Sequence, residues 1–437
     1  MNSPISTNYE LFPDAMPLPK RRAVSPERLP TNTTTYQHAI HRWFNFIAGF
    51  SPEFVEECLT RIPSTQATVL DPFAGCATTL VVAGQRGIRS IGFEPHEVFA
   101  RIARAKLPAA NSLPILDAIE STLLRGFRYP KAAHTLPRPA AEFLLKLFPQ
   151  PVLEELLGGR AALESDGYAD NDLAFLVLSK VLDKSSHSQT DGIYKAPTSR
   201  KGCESPVDAC HAVASMIRTD LEALEGRAIN ELATVHQQSS ECMTAVPDSS
   251  VDIVVTSPPY LNNFDYAEMT RMYLYFWSIA NSWSEITSVV RNKLIVNTTT
   301  ALKGHKENQE EYRSRIPATL LPEIDPLVEK LAQLRKQKAG KKEYDYLVYP
   351  YLAQVTKVLA ECYRSMRPGA PIEITVADAA LYGVHISTPQ FLRTILDNLG
   401  FRRTSCSLLR SRGHRWVLTK REGSKVGLGE YHVHGIK

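Results

Sequence analysis

The chain has 437 residues, 43% hydrophobic and 22% charged, which fits a globular protein of one large or two medium domains. No apolar run approaches membrane-spanning length and no signal-peptide pattern opens the chain, so a cytoplasmic setting is expected. Fifty Lys and Arg oppose 46 Asp and Glu, a net charge of +4 that neither requires nor excludes a polyanionic partner. The seven cysteines contain no CxxC, and Cys203, Cys210 and His211 lack a fourth ligand, so no metal site is expected.

Residues 1–30, proline-rich and carrying Lys20, Arg21 and Arg22, read as a flexible arm. Ser51, Pro52 and Glu53 supply an N-cap hydroxyl, a first-turn proline and an acid facing the positive helix end. Phe54, Val55, Cys58, Leu59 and Ile62 then share one helical face. Ala67–Thr79, ATVLDPFAGCATT, reads as a strand, a glycine-containing loop and a helix start. Ser90–Glu94 is a second strand ending on an acid, and His96–Leu107 a helix. This alternation begins a parallel α/β sheet.

Across 121–230 the pattern changes to Leu-, Ala- and Glu-rich helices at Ala141–Leu147, Pro151–Leu157, Asp172–Leu182 and Val207–Leu224. The region reads as a helical insertion, with Ser185–Gly202 as a long polar loop. The sheet resumes at Leu232–Val235 and Val251–Val255. A helical stretch at Asp265–Ile279 and a polar, basic insertion near 298–342 follow. The remaining expected elements are a helix at Tyr346–Met366, a strand at Pro371–Asp378, a helix at Gln390–Leu399, and a hairpin of Arg402–Leu408 with Arg415–Thr419.

Three features carry chemistry. In DPFAGCATT a strand delivers Asp71, Gly75 allows a tight turn, and Ala74 and Ala77 keep the walls low. Such loops at strand C-termini form the ligand crevice of open α/β sheets, although a plain strand-to-helix turn reads the same way. It is no phosphate loop, since neither GxGxxG nor a Lys-Ser/Thr after the glycine is present. Glu94 ends the next strand, where a carboxylate can take both hydroxyls of a ribose. In VDIVVTSPPYLNN (Val251–Asn263) a strand stops on Pro258 and Pro259, which cannot donate to a ladder.

Together DPFAGCATT, IGFE and TSPPY resemble the S-adenosylmethionine-dependent amino-methyltransferases of DNA, and within them the SPPY-type cytosine-N4 enzymes. The resemblance covers most of the chain outside the arm and the helical insertion. The family pattern is DPFxGxGTT; here Cys76 and Ala77 stand at its variable and second-glycine positions. The resemblance implies an α/β, Rossmann-like class I methyltransferase fold: a mostly parallel sheet, a C-terminal antiparallel hairpin, and a helical insertion. Residues 31–120 would form the cofactor-binding part, 121–230 the insertion and candidate DNA-recognition region, and 231–437 the catalytic part. Asp71, Pro72, Phe73, Ala74, Gly75, Thr78 and Thr79 would surround the methionine half of the cofactor, with Glu94 on its ribose. His41–Ile62 resembles the segment that closes the cofactor pocket, with Ser51 and Phe54 as the expected contacts.

TSPPY is similar to the family's catalytic tetrapeptide. The exocyclic amine of cytosine or adenine is a poor nucleophile, because its lone pair is delocalised into the ring. Two acceptors for its N–H groups favour a more tetrahedral nitrogen that can attack the sulfonium methyl. Ser257 and the Pro258 carbonyl would be those acceptors, Pro259 would help hold the carbonyl, and Tyr260 would stack on a base flipped from the duplex. Ser before PPY goes mainly with cytosine N4 in the family. Ser239 or Ser240 stands where adenine-type members often carry an acid. Adenine N6 is the alternative target, and a catalytically silent DNA-binding regulatory protein the alternative of another class. Asn263, Asp265 and Tyr266 are expected to touch DNA or the flipped base. Gln189, Tyr194, Lys195, Arg200 and Lys201 are candidates for groove contacts, and Arg410, Arg412 and Arg415 for phosphates. Double-stranded DNA is the expected partner, with a cognate restriction nuclease or defence-system subunit beside it, and neither membrane nor metal.

Overall fold

The computed structural model describes residues 32–437 except 45, 47, 63–65, 130–135, 191–194, 338–341 and 412–427, and omits the side chains of 32–33, 189–190 and 195–200. In chain order the strands are β1 (Thr68–Asp71), β2 (Arg89–Phe93), β3 (Ser188–Thr190), β4 (Lys195–Arg200), β5 (Ala233–His236), β6 (Ile253–Thr256), β7 (Pro371–Ala377), β8 (Ala379–Leu381), β9 (Val384–Ile386), β10 (Arg402–Ser411) and β11 (Gly429–Ile436). Seven of them make one sheet in the order β10-β11-β7-β6-β1-β2-β5. From β5 to β7 all pairs are parallel, and β11 enters between β7 and β10 antiparallel to both.

The central strands are nearly continuous apolar runs because helices cover both faces of the sheet. Val69, Ile253 and Val255 point to one side and pack with Phe50, Phe54 and Val55. Leu70 and Val254 point to the other, into a core shared with Val348–Ser365 and Thr388–Leu399. The chain runs outward through β1, β2 and β5, then returns to place β6 beside β1. The strand order therefore reverses between β1 and β6. DPFAG and SPPY leave the C-terminal ends of these two strands, where open α/β sheets hold their ligands.

The insertion comprises the helices Ser112–Arg128, Arg138–Leu144, Gln150–Ser165, Asp172–Ser185 and Pro206–Ala223. Its apolar residues join one cluster with Leu80, Val81, Val98 and Phe99 of the sheet-covering helices. Ser112–Arg128 and Gln150–Ser165 cross closely: a Cβ on Gly126 would lie 2.6 Å from the Gly158 carbonyl oxygen. Asp220, buried on the last insertion helix, accepts from the Ile40 amide (2.9 Å), Trp43 Nε1 (2.8 Å) and the Arg42 guanidinium. That carboxylate fixes the turn leading to Phe46–Phe50.

β10 pairs with β11, and its expected partner Arg415–Thr419 lies outside the described residues; three expectations change. β11 ladders with β7 over seven paired positions, and a buried acid selects its register. Glu373 on β7, fully buried, accepts from His432 Nε2 (2.6 Å) and His434 Nδ1 (3.1 Å) and pairs with Arg61. Burial opposes its charge, but the two histidines outweigh that and hold it at about 2. A one-residue slip would turn both imidazoles away. The supposed loop Ser185–Gly202 contains the hairpin β3–β4, whose polar sequence has no apolar alternation to announce it. The helix expected at Asp265–Ile279 breaks at Thr270 into Tyr266–Met269 and Arg271–Phe276. The polar stretch near 298–342 contains the helix Leu321–Gln337, which buries Ile324 and Leu331.

Asp220→Ala should destabilise the protein by about 3 kcal/mol, because two buried N–H groups and a partly exposed guanidinium lose one acceptor. Urea denaturation measures this, and a loss below ~1 kcal/mol would show that the entry turn is held by packing alone.

Candidate active site

A crevice with about 760 Å³ of empty space opens at the C-terminal ends of β1, β2 and β6. Phe73, Ala74, Gly75, Cys76 and Thr78 form its floor. The loop after β1 is drawn against β2 by the Ala74 amide donating to the Phe93 carbonyl at 3.0 Å. Gly75 (φ 50°) and Ala77 (φ 65°) are both left-handed. The second is the position where the family pattern has glycine. An L-residue there costs on the order of 1 kcal/mol, which Ala77 bears with the smallest possible side chain.

Glu94 follows β2 and lines the same crevice. Its Oε2 accepts from the Gly75 amide (3.1 Å) and its Oε1 from the His96 amide (2.8 Å). Burial pushes its carboxyl up to about 8, against the pull of those two amides. His96 is buried and kept neutral, its pKa lowered to about 3 by burial. Its Nδ1 accepts from the Val98 amide, so Nε2 carries the proton and donates to Thr270 Oγ1 at 2.8 Å. Thr270 in turn donates to the Tyr266 carbonyl at 2.8 Å. The loop after β2 is thereby tied to the helix bearing Tyr266, whose ring also lines the crevice.

Ser257 and Pro259 line the crevice from β6, with Pro258 buried between them. Ser239 and Ser240 line it after β5. Asp71, Pro72 and Thr79 do not: they lie beneath the floor. Asp71 is 1% exposed. Its Oδ1 accepts from Thr256 Oγ1 (2.6 Å) and the Phe73 amide (3.0 Å), while Thr79 Oγ1 donates to the Val255 carbonyl (3.3 Å). Burial pushes Asp71 up to about 6, opposed by the hydrogen bonds from Thr256, Thr79 and Phe73. These residues join the loop after β1 to the last two residues before Ser257.

Other expected positions fall elsewhere. Ser51 Oγ caps the helix Pro52–Leu59, accepting from the Phe54 amide at 3.2 Å, and Phe54 packs edge-on to Phe50 and His432. Phe46, Gly49 and Phe50 of the same segment face the crevice instead. The helix turns Ser51 and Phe54 into the core, so the entry loop, not the helix, makes the wall. Asp265 is the cap of Tyr266–Met269, accepting from Ala267 and Glu268 amides, from Arg291 and from Thr300. With its oxygens so engaged it shapes the site from behind. Asn263 is half-buried beside Tyr260, its amide donating to the Tyr260 carbonyl at 3.3 Å. Tyr260 does not line the crevice. Its ring packs on the second core and its hydroxyl donates to Glu430 Oε1 at 2.6 Å. Arg410 spends its Nε on Glu430 Oε2 at 2.7 Å. Lys201 is exposed and donates to the Asp183 carbonyl at 3.1 Å. Tyr194, Arg412 and Arg415, and the side chains of Gln189, Lys195 and Arg200, lie outside the described residues.

Residues without a sequence signal complete the wall. Lys293, Leu294 and Ile295 also line the crevice, with Lys293 exposed. Buried Asn297 donates to the carbonyls of Tyr260 (3.3 Å) and Phe264 (2.9 Å), and its own carbonyl accepts from the Asn262 amide (2.6 Å). One amide side chain thus holds the loop after SPPY.

A doubly wound sheet with an acid after its second strand and a crevice at the reversal of strand order defines a Rossmann-like α/β fold. Residues 23–105 match the DNA methylase family of N6- and N4-methyltransferases. The chain is 23% identical over 435 residues to the Type II methyltransferase M.BsoBI of Geobacillus stearothermophilus, covering 86% of this chain and 81% of that protein. It is 21% identical over 388 residues to the Type II methyltransferase M.AvaI of Nostoc sp., covering 83% and 79%. Among solved structures, a SAM-dependent methyltransferase from Archaeoglobus fulgidus aligns at 11% identity and TM-score 0.30, over 89% of this chain and 95% of that one. The rRNA methyltransferase AviRa from Streptomyces viridochromogenes aligns at 11% and 0.29, over 89% and 85%. The family model matches the segment from residue 23 to the end of the helix after β2, and both curated relatives are Type II methyltransferases.

Thr256→Val should cost about 2 kcal/mol, since it removes a hydrogen bond to a buried carboxylate, and Thr256→Ser should restore most of it. Chemical denaturation of the two variants checks this, and equal losses would show that the methyl, not the hydroxyl, matters.

Proposed function

We propose that the protein is a site-specific DNA methyltransferase that moves the methyl group of S-adenosylmethionine to N4 of a flipped cytosine, within a restriction–modification or defence system. The observation carrying this is that Glu94 and Ser257, from strands flanking β1, line one crevice. In this reading Glu94 takes the ribose hydroxyls, and the floor from Phe73 to Thr78 holds the methionine half. Ser257 Oγ and the Pro258 carbonyl accept the amine N–H groups. As the nitrogen attacks, the C–N bond forms, the methyl–sulfur bond breaks to leave a thioether, and one amine proton passes to solvent. Type II methyltransferases among the relatives favour the restriction–modification setting. Ser257, and two serines in place of an acid after β5, favour cytosine over adenine. Arg410 and Lys293 are the proposed phosphate contacts among the described residues, and the 121–230 helices with β3–β4 the recognition region.

Labelled cofactor and unmethylated DNA, digested to nucleosides, test the reading. Label in N4-methylcytosine supports it, label in N6-methyladenine moves the target to adenine, and tight DNA binding without label leaves a silent DNA-binding protein. Ser257→Ala should lower kcat about 100-fold or more while cofactor Kd changes less than about twofold; equal loss of both would sink the role given to Ser257.

With its carboxyl at about 8, Glu94 is mostly protonated at pH 7 and gains acceptor strength as pH rises. Cofactor Kd should therefore tighten roughly tenfold from pH 7 to pH 9 and then level off. Glu94→Gln should bind more weakly at pH 9 and show a flat profile in the same calorimetric titration.

A further inference from the structure

Tyr260, Glu430 and Arg410 form a chain that neither the cofactor loop nor the SPPY backbone accounts for. Glu430, on β11, is 4% exposed. One carboxylate oxygen accepts from the Tyr260 hydroxyl at 2.6 Å and the other from Arg410 Nε at 2.7 Å. Arg410 is 38% exposed at its side chain, and its two terminal nitrogens make no hydrogen bond among the described residues. A guanidinium held by Nε and open at its far edge presents the paired N–H groups that fit a phosphate. Tyr260 sits one residue beyond Pro259, which lines the crevice.

We propose that Glu430 is a positioning residue that couples a DNA backbone phosphate on Arg410 to the ring of Tyr260. The phosphate holds the outer edge of Arg410, Arg410 holds Glu430, and Glu430 holds the Tyr260 hydroxyl, which fixes the backbone one residue beyond Pro259 at the crevice wall. The proposal rests on the DNA-methyltransferase function given above. It goes beyond it by naming what holds the tyrosine and how backbone binding reaches the crevice wall.

The test uses full-length protein, labelled cofactor and plasmid DNA, with kcat, KM for DNA, cofactor Kd and melting temperature measured for each variant. Tyr260→Phe and Glu430→Ala should each lower kcat about tenfold with cofactor Kd unchanged. Their double variant should be no slower than Glu430→Ala alone. Glu430→Gln, which keeps an acceptor for the Tyr260 hydroxyl, should recover most of kcat. Arg410→Ala should raise KM for DNA and flatten its dependence on salt, and inorganic phosphate should compete only at concentrations that also act as salt. Multiplying effects in the double variant, or cofactor affinity falling in step with kcat, would make Glu430 merely structural and overturn the proposal. An unchanged salt dependence in Arg410→Ala would overturn its phosphate arm. Absence of methyl transfer by the unmodified protein would instead overturn the function on which the proposal rests.

Discussion

The buried carboxylate of Asp71 is the constraint on which the site depends. It sits at the last residue of β1 and accepts from Thr256 at the last residue of β6. Parallel pairing brings the two strands together, but a ladder alone leaves the loops beyond it free to diverge. The side-chain bridge carries the alignment one step past the ladder, where DPFAG and SPPY begin. A reaction between groups held by the two loops loses about 100-fold in rate for a misplacement of roughly 1 Å. The cost is a carboxylate buried away from water, which is why its pKa rises toward neutrality even with three donors nearby.

A second layer of polar contacts aims the walls at that point. Asp220 fixes the entry turn from the helical insertion, His96 and Thr270 join the Glu94 loop to Tyr266, and Asn297 gathers the carbonyls after SPPY. The insertion therefore does more than decorate the sheet. Its core is continuous with that of the cofactor-side helices, so a displacement of the insertion on DNA would be felt at Phe46–Phe50. Such coupling needs no separate relay, only the packing already present.

Much of the fold was legible because β1, β2 and β6 are short apolar runs ended by Asp71, Glu94 and Ser257–Pro259, punctuation that survives without tertiary context. The helices at Pro52–Leu59 and Val348–Ser365 announced themselves by caps and period. What was not legible depends on distant partners. Glu430 meets Tyr260 across 170 positions and Asp220 meets Ile40 across 180, and neither acid stands in a local pattern. Arg410 looked like a free phosphate ligand because its counter-ion is across a ladder. The pairing of β10 with β11 has no local signal, and the register of β11 is set by Glu373 on a third strand. Ser51 and Phe54 were expected in the pocket because the segment was right and its rotation was not visible.

The placement of β11 bears on how the molecule is made. β10 reaches the sheet only through β11, which is synthesised after it and must wedge between two strands already in existence. Until residues 429–436 emerge, β7 is an exposed edge, Glu373 lacks its imidazoles and Tyr260 lacks its anchor. The cofactor crevice, built from residues before 300, can form earlier. A nascent chain can therefore build the crevice before Glu430 reaches Tyr260, and chains cut short before β11 would lack that hold.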